Sequence, residues 1–156
     1  MLPLLLFLAA TDPTVTLELA RGGDVKWQGT CTAEVFAREG DTPATAVGDA
    51  AQPFSLASGT WDVVVACPSD EGVVKKSVAL TVKADDVTAR VAFAPGFLLV
   101  NVLRFDSPVA AEVTVLDERG REIAKGKERA VLPIEPGRVR VVAKLDDNGR
   151  HVLGNA

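Results

Sequence analysis

The sequence predicts an all-β protein built from two tandem antiparallel β-sandwich units, the second of them incomplete. Three observations carry that reading. Apolar and polar residues alternate with a period of two in short runs. Clusters of Gly, Pro, Asp, Asn and Ser separate those runs. One pattern of residues also occurs twice, 78 positions apart. Ala33-Glu34-Val35 returns as Ala111-Glu112-Val113, and Trp61-Asp62-Val63-Val64 returns as Val139-Arg140-Val141-Val142. No run carries a 3.6-residue apolar period beyond a turn or two, so helices are not expected.

The elements follow in order. Met1 to Ala10 is an apolar run closed by small residues, with polar Thr11-Asp12-Pro13 behind it. At about 1.5 Å per residue it is too short to cross a bilayer as a helix. It has the pattern of the apolar part of a secretory leader, with cleavage expected near Ala10, although the basic residues that normally precede such a run are missing. Residues 1–13 are therefore set apart from the fold. The first unit, residues 14–95, carries inward-facing Val15, Leu17 and Leu19; then Cys31, Ala33, Val35 and Ala37; then Trp61, Val63, Val65 and Cys67; then Val78, Leu80 and Val82; and last Val87, Ala89, Val91 and Phe93. Turn residues such as Arg21-Gly22-Gly23-Asp24 and Ser58-Gly59 fall between them. About seven antiparallel strands are expected.

The second unit, residues 96–156, follows Ala94-Pro95 and repeats the scheme. Its run Val139 to Leu145 places Val139, Val141, Ala143 and Leu145 on one face and Arg138, Arg140 and Lys144 on the other. Those three cations are a candidate binding stripe, weighed against an ordinary solvated sheet face. Val78 maps onto Ala156, so counterparts of Ala79 to Phe93 are not in the sequence. A sheet without its closing strands presents open edges and apolar surface. Three readings follow: the chain is a fragment of a longer protein or its second unit is shortened, which is the favoured one; its own N-terminal strand fills the place; or a protein partner or second copy donates a strand, which is the expected interaction.

Charge and cysteines narrow the function. A net charge of −4 with interleaved signs gives nothing to attract a phosphate backbone, so nucleic acid is not an expected partner. Cys31 and Cys67 are the two cysteines, and both fall on the inward phase of their strands. Their counterparts at the 78-residue offset are Val109 and Leu145, which are core types. That pairing of positions predicts a Cys31–Cys67 disulfide, against the alternative of two separate buried thiols. A disulfide fits export, so a secreted, periplasmic or cell-surface location is expected.

Catalytic chemistry has little to stand on. His151, the one histidine, maps onto Val73 and falls near the chain end, so no serine or cysteine has an evident base. Asp85-Asp86 and Asp146-Asp147-Asn148-Gly149 collect carboxylates, but the second reads first as a hairpin turn, and the EF-hand spacing is absent. No metal or other cofactor is expected. Aromatic residues are 5% of the chain with no tyrosine, which leaves Trp27 as the one candidate for stacking a sugar, while Trp61 shares the phase of Val63 and Val65 and belongs inside.

The run Phe54-Ser55-Leu56-Ala57-Ser58-Gly59-Thr60-Trp61-Asp62-Val63 and its partner Leu132-Pro133-Ile134-Glu135-Pro136-Gly137-Arg138-Val139-Arg140-Val141 resemble the signature of carboxypeptidase regulatory-like and transthyretin-like domains. The position where those families often carry tyrosine holds Trp61 in one copy and Val139 in the other. The resemblance implies Greek-key sandwiches in tandem, as in bacterial exported and surface proteins, acting as non-catalytic structural or protein-interaction modules. The competing expectation is a module that binds carbohydrate or calcium at the sandwich loops. Binding residues on these readings are Trp27, Arg138, Arg140 and Lys144.

Overall fold

The computed structural model describes residues 11–22, 25–38, 43–70, 72–94, 96–127 and 131–145, with the backbone of 153–155. The run Met1 to Ala10 expected to be a leader, the expected hairpin turn Asp146-Asp147-Asn148-Gly149 and His151 lie outside the described residues. Every regular element among the described residues is a strand. The first half holds β1 (Thr14–Arg21), β2 (Val25–Lys26), β3 (Thr32–Ala37), β4 (Pro43–Val47), β5 (Phe54–Ser55), β6 (Gly59–Ser69), β7 (Gly72–Val82) and β8 (Val87–Phe93). The second holds β9 (Gly96–Leu99), β10 (Leu103–Arg104), β11 (Ser107–Pro108), β12 (Ala111–Leu116), β13 (Glu122–Lys127), β14 (Val131–Ile134), β15 (Arg140–Leu145) and β16 (Leu153–Asn155).

In the first half, one sheet runs β4-β3-β6-β7, and a second joins β1 to β2, β5 and β8. Their facing residues share one core. Val15 and Leu17 of β1 and Val91 and Phe93 of β8 meet Ala33 and Val35 of β3, Val63, Val65 and Cys67 of β6, and Val74, Leu80 and Val82 of β7. Alternation is what makes this possible, since every second residue of each strand points the same way. Cys31 and Cys67 are joined by a disulfide inside this core, with 36 residues of separation. Trp61 is half-buried against it, and its indole N–H donates to the Ala57 carbonyl at 2.9 Å.

Three details depart from expectation. The first half has eight strands, and β1 lies parallel to β8, from Val15↔Val87 to Arg21↔Phe93, so the architecture is not purely antiparallel. Parallel strands need a long crossover, and here almost the whole half of the chain supplies it. Ala37 is exposed while Phe36 is buried. The β3–β6 register is unbroken and sets Phe36 opposite Asp62, on the face away from the shared core, where the Arg121 guanidinium lies over its ring and covers it. Finally, Trp27 lies in the core rather than in an open loop, 7% exposed, with its ring centroid 4.9 Å from that of Phe93.

The second half has a sheet of order β13-β12-β15-β16 and a pair β14-β9. The pairing Val142↔Asn155, Ala143↔Gly154 and Lys144↔Leu153 reproduces Val64↔Ser77, Val65↔Lys76 and Ala66↔Lys75 at the 78-residue offset. The offset changes towards β9. Phe54 pairs with Val15, and its counterpart Leu132 pairs with Leu98, so the equivalent of Val15 lies 83 residues on rather than 78. Likewise the Trp27 amide donates to Leu19 at 3.1 Å, and the Val109 amide donates to Val102 at 3.2 Å. Val109 thus takes the place of Trp27. It is not the counterpart of Cys31, which falls where the second half has fewer residues before Ala111.

The second core is small. Val113, Val115 and Leu132 are its buried members, and Leu98, Val100, Val102, Val139 and Val141 pack against it half-buried. Val139, Val141, Ala143 and Leu145 face as expected but are only half-buried, and no strand among the described residues stands where β8 stands in the first half. On the outer face, Glu112 meets Lys125 at 2.6 Å. The hydrogen bond and charge of Lys125 hold the Glu112 carboxyl below the usual carboxylate range, and Glu112 raises Lys125 in return. A depressed carboxylate stabilises above its unfolded pKa and loses that contribution as pH falls through its folded one. Both side chains are about half exposed, and solvent screens them. Glu112→Gln is therefore expected to leave the thermal midpoint at neutral pH unchanged, as differential scanning fluorimetry would show.

Candidate functional site

Two places concentrate the unusual chemistry: a charged seam where the halves meet, and an apolar edge on the second half.

The seam is built on Asp62 of β6, which is 2% exposed. A carboxylate this deep needs charged or hydrogen-bonding partners. It pairs with the Arg119 guanidinium and lies 3.4 Å from Nη2 of Arg121, both on the turn between β12 and β13. Arg121 also reaches Asp117 at 3.4 Å and lies over the Phe36 ring, 4.9 Å from its centroid. Its Nη1 is buried without a hydrogen-bond partner, so the aromatic face is its main compensation on that side. Around this centre, Lys76 of β7 meets Glu135 at 3.0 Å, Glu135 accepts the Ala94 amide at 2.8 Å, and Lys75 donates to the Glu122 carbonyl at 3.3 Å. The halves are thus joined by charged contacts at several points.

Local sequence sets the geometry of that turn. Asp117 Oδ1 accepts the amides of Arg119 and Arg121, each at 2.9 Å, and Gly120 sits at φ +79°. That dihedral suits glycine. Gly120→Ala is expected to cost about 1 kcal/mol through backbone strain alone, because a Cβ there would meet only Arg140 Nη2 at an ordinary 3.5 Å. A urea midpoint comparison measures it.

The apolar edge lies at β9 and β10. Phe97 is 59% exposed, Leu99 61%, Leu103 56%, Phe105 92% and Val131 54%. These are five of the seven large apolar side chains found exposed among the described residues. Leu98, Val100 and Val102 alternate with them and face the small core. The strand is apolar on both sides, as strands covered on both faces usually are. Phe97 and Leu99 lie on β9, Leu103 on β10, Phe105 in the turn after it and Val131 on β14, the strand paired with β9; apolar residues gathered in this way mark a contact surface.

The expected binding residues fare unevenly. Trp27 borders two shallow depressions of about 510 and 410 Å³, but its side chain is 7% exposed, with Phe93 packed on it and the Arg21 guanidinium 5.8 Å from its centroid. Arg138 and Arg140 border one shallow depression of about 440 Å³, but Asp117 and Glu118 line it too. Lys144 stands opposite Glu112 on the next strand. The three cations are exposed, yet carboxylates interleave with them and no unopposed positive stripe results. Asp86, of the candidate pair Asp85-Asp86, accepts the Thr14 amide at 2.8 Å and ties β1 in place. No cluster of three or more metal-ligating side chains occurs among the described residues. No helix among them is long and apolar enough to cross a membrane.

Sequence reasoning missed Asp62, Arg119 and Arg121. The available signal was an acid set inside the apolar run Trp61-Asp62-Val63-Val64, where its counterpart is Arg140.

No family model and no curated protein matches the chain. A search of solved structures finds a likeness to the Bacillus anthracis TIE protein at 16% identity and a TM-score of 0.38. The match covers 92% of this chain and 31% of that one, so the chain spans about a third of that structure. A superposition this loose carries no statement about shared topology or activity.

Proposed function

We propose that the chain is a non-catalytic structural and protein-interaction module of an exported or cell-surface protein. On this reading residues 14–95 and 96–156 are tandem sandwiches of transthyretin-like or carboxypeptidase regulatory-like type, the second incomplete, and partners meet it through exposed strand edges of the second unit. The observation that carries the proposal is the seam: a buried carboxylate held by arginines from the other half fixes the relative orientation of two sheet systems. A fixed orientation is what a spacer needs, and relative domain motion is the default without it. The Cys31–Cys67 disulfide supports an oxidising compartment.

Spin labels on cysteines introduced at exposed Thr88 and Lys127 test the proposal by double electron–electron resonance. A single narrow distance distribution is expected. A broad or two-peaked one would show the halves moving independently and remove the spacer role. Calorimetric titration with calcium and a glycan panel is expected to give no saturable heat.

A further inference from the structure

We infer that the β1–β8 ladder is a mechanical clamp, so that the first half bears tension carried along the chain and opens only under high force. The inference deepens the spacer role proposed above and rests on it.

The clamp follows from strand direction. β1 is the first strand of the first half and β8 the last, so the chain enters this half at the start of one and leaves it at the end of the other. The two lie side by side and parallel over seven consecutive pairs, from Val15↔Val87 to Arg21↔Phe93. Entry and exit are therefore at opposite ends of the ladder. The line between them runs about 20 Å along the strands and only about 5 Å across them. Tension slides one strand past the other, and every ladder bond is loaded at once. Were the two strands antiparallel, entry and exit would share one end, and the bonds would break one after another. All other strand pairs among the described residues are antiparallel.

Both ends of the ladder are pinned, and its side chains resist the slide. At the entry end Asp86 accepts the Thr14 amide at 2.8 Å and the Pro13 carbonyl accepts the Leu56 amide at 3.1 Å; at the exit end the Gly22 amide donates to the Phe93 carbonyl at 2.8 Å. Val15, Val91 and Phe93 are fully buried in the shared core. A slip of one residue sets inward side chains beside outward ones, so the nearest register that keeps their phase is about 7 Å away. The seam joins the second half at the same exit end. Glu135 accepts the Ala94 amide at 2.8 Å, and the Lys76 ammonium bonds both Glu135, at 3.0 Å, and the Ala92 carbonyl. The Cys31–Cys67 bond lies off this load path until the ladder fails. It then keeps residues 31–67 closed and holds the released length to about 130 Å, against about 250 Å without it.

Optical tweezers on the full, oxidised chain test this by pulling it in two directions. Handles at Asp12 and on a tag after Ala156 load the ladder in shear, whereas handles at Asp12 and Asp85, both exposed and beside the same end of the ladder, peel it pair by pair. In the first geometry the step of about 130 Å is expected last, after the second half has opened. Its force should be roughly threefold or more above the force that opens the first half in the second geometry, at one loading rate. Equal forces for the first half in the two geometries, or a first-half step that precedes opening of the second half, would overturn the inference. Either result alongside a narrow spin-label distribution would remove the clamp and leave the spacer reading standing.

Discussion

Replacing Asp62 with alanine lowers the unfolding free energy by about 3–5 kcal/mol, the range found when one partner of a buried ion pair is removed. The size follows from burial. Asp62 is 2% exposed, and the Arg121 side chain, 14% exposed, would be left as an uncompensated charge beside Phe36. Arg119→Ala is expected to cost much less, because that side chain is 43% exposed and water replaces its partner. Loss of Asp62 also removes the most deeply buried of the links between halves with very different cores, leaving the Lys76–Glu135 and Lys75–Glu122 contacts. Urea unfolding followed by far-UV circular dichroism should therefore change from one transition to two, the second half going first. A single transition with an unchanged midpoint would show that Asp62 does not join them.

Removing the Cys31–Cys67 bond has an effect of similar size by another route. Closing a loop of 36 residues restricts the unfolded chain, and releasing it costs about 4 kcal/mol in the chain-entropy model. Both positions are essentially inaccessible, 1% and 0% exposed, so Cys31→Ala with Cys67→Ala adds a small cavity cost to the lost cross-link. The thermal midpoint should fall by roughly 8–16 °C for a chain of this length. Calorimetry on the double variant measures it, with reduced and unreduced protein as the comparison. A shift of a degree or two would mean that the core alone holds Cys31 and Cys67 together.

The parts of this fold that could be read in the sequence are those written in one strand at a time. The inward phases of Val15, Leu17, Val63, Val65, Val91 and Phe93 follow from alternation, which is a property of each strand's own backbone. The disulfide was legible because both cysteines share that inward phase. What escaped depends on distant partners. Trp27 is buried because Phe93 comes back beside it along the parallel β1–β8 ladder, and nothing near Trp27 encodes that return. Phe36, on the outer phase of β3, is buried because Arg121 comes over its ring from the other half. Asp62 finds its arginines in the other half. The cations Arg138, Arg140 and Lys144 are exposed, in keeping with the phase of their strand, but their acidic neighbours come from the β12–β13 region and leave no sign in that strand's own sequence.

Native-state hydrogen exchange, resolved by residue, tests most directly whether residues 98–103, which have no ladder partner on the edge away from β14 and β11 among the described residues, are as open as residues 15–21 are closed by β8. Amides of residues 15–21 pointing at β8 are expected to exchange only through global unfolding, and the Asn101 amide to exchange orders of magnitude faster. Equal, high protection in both stretches would mean that residues 98–103 already have a strand beside them, and the account of an open edge would be wrong.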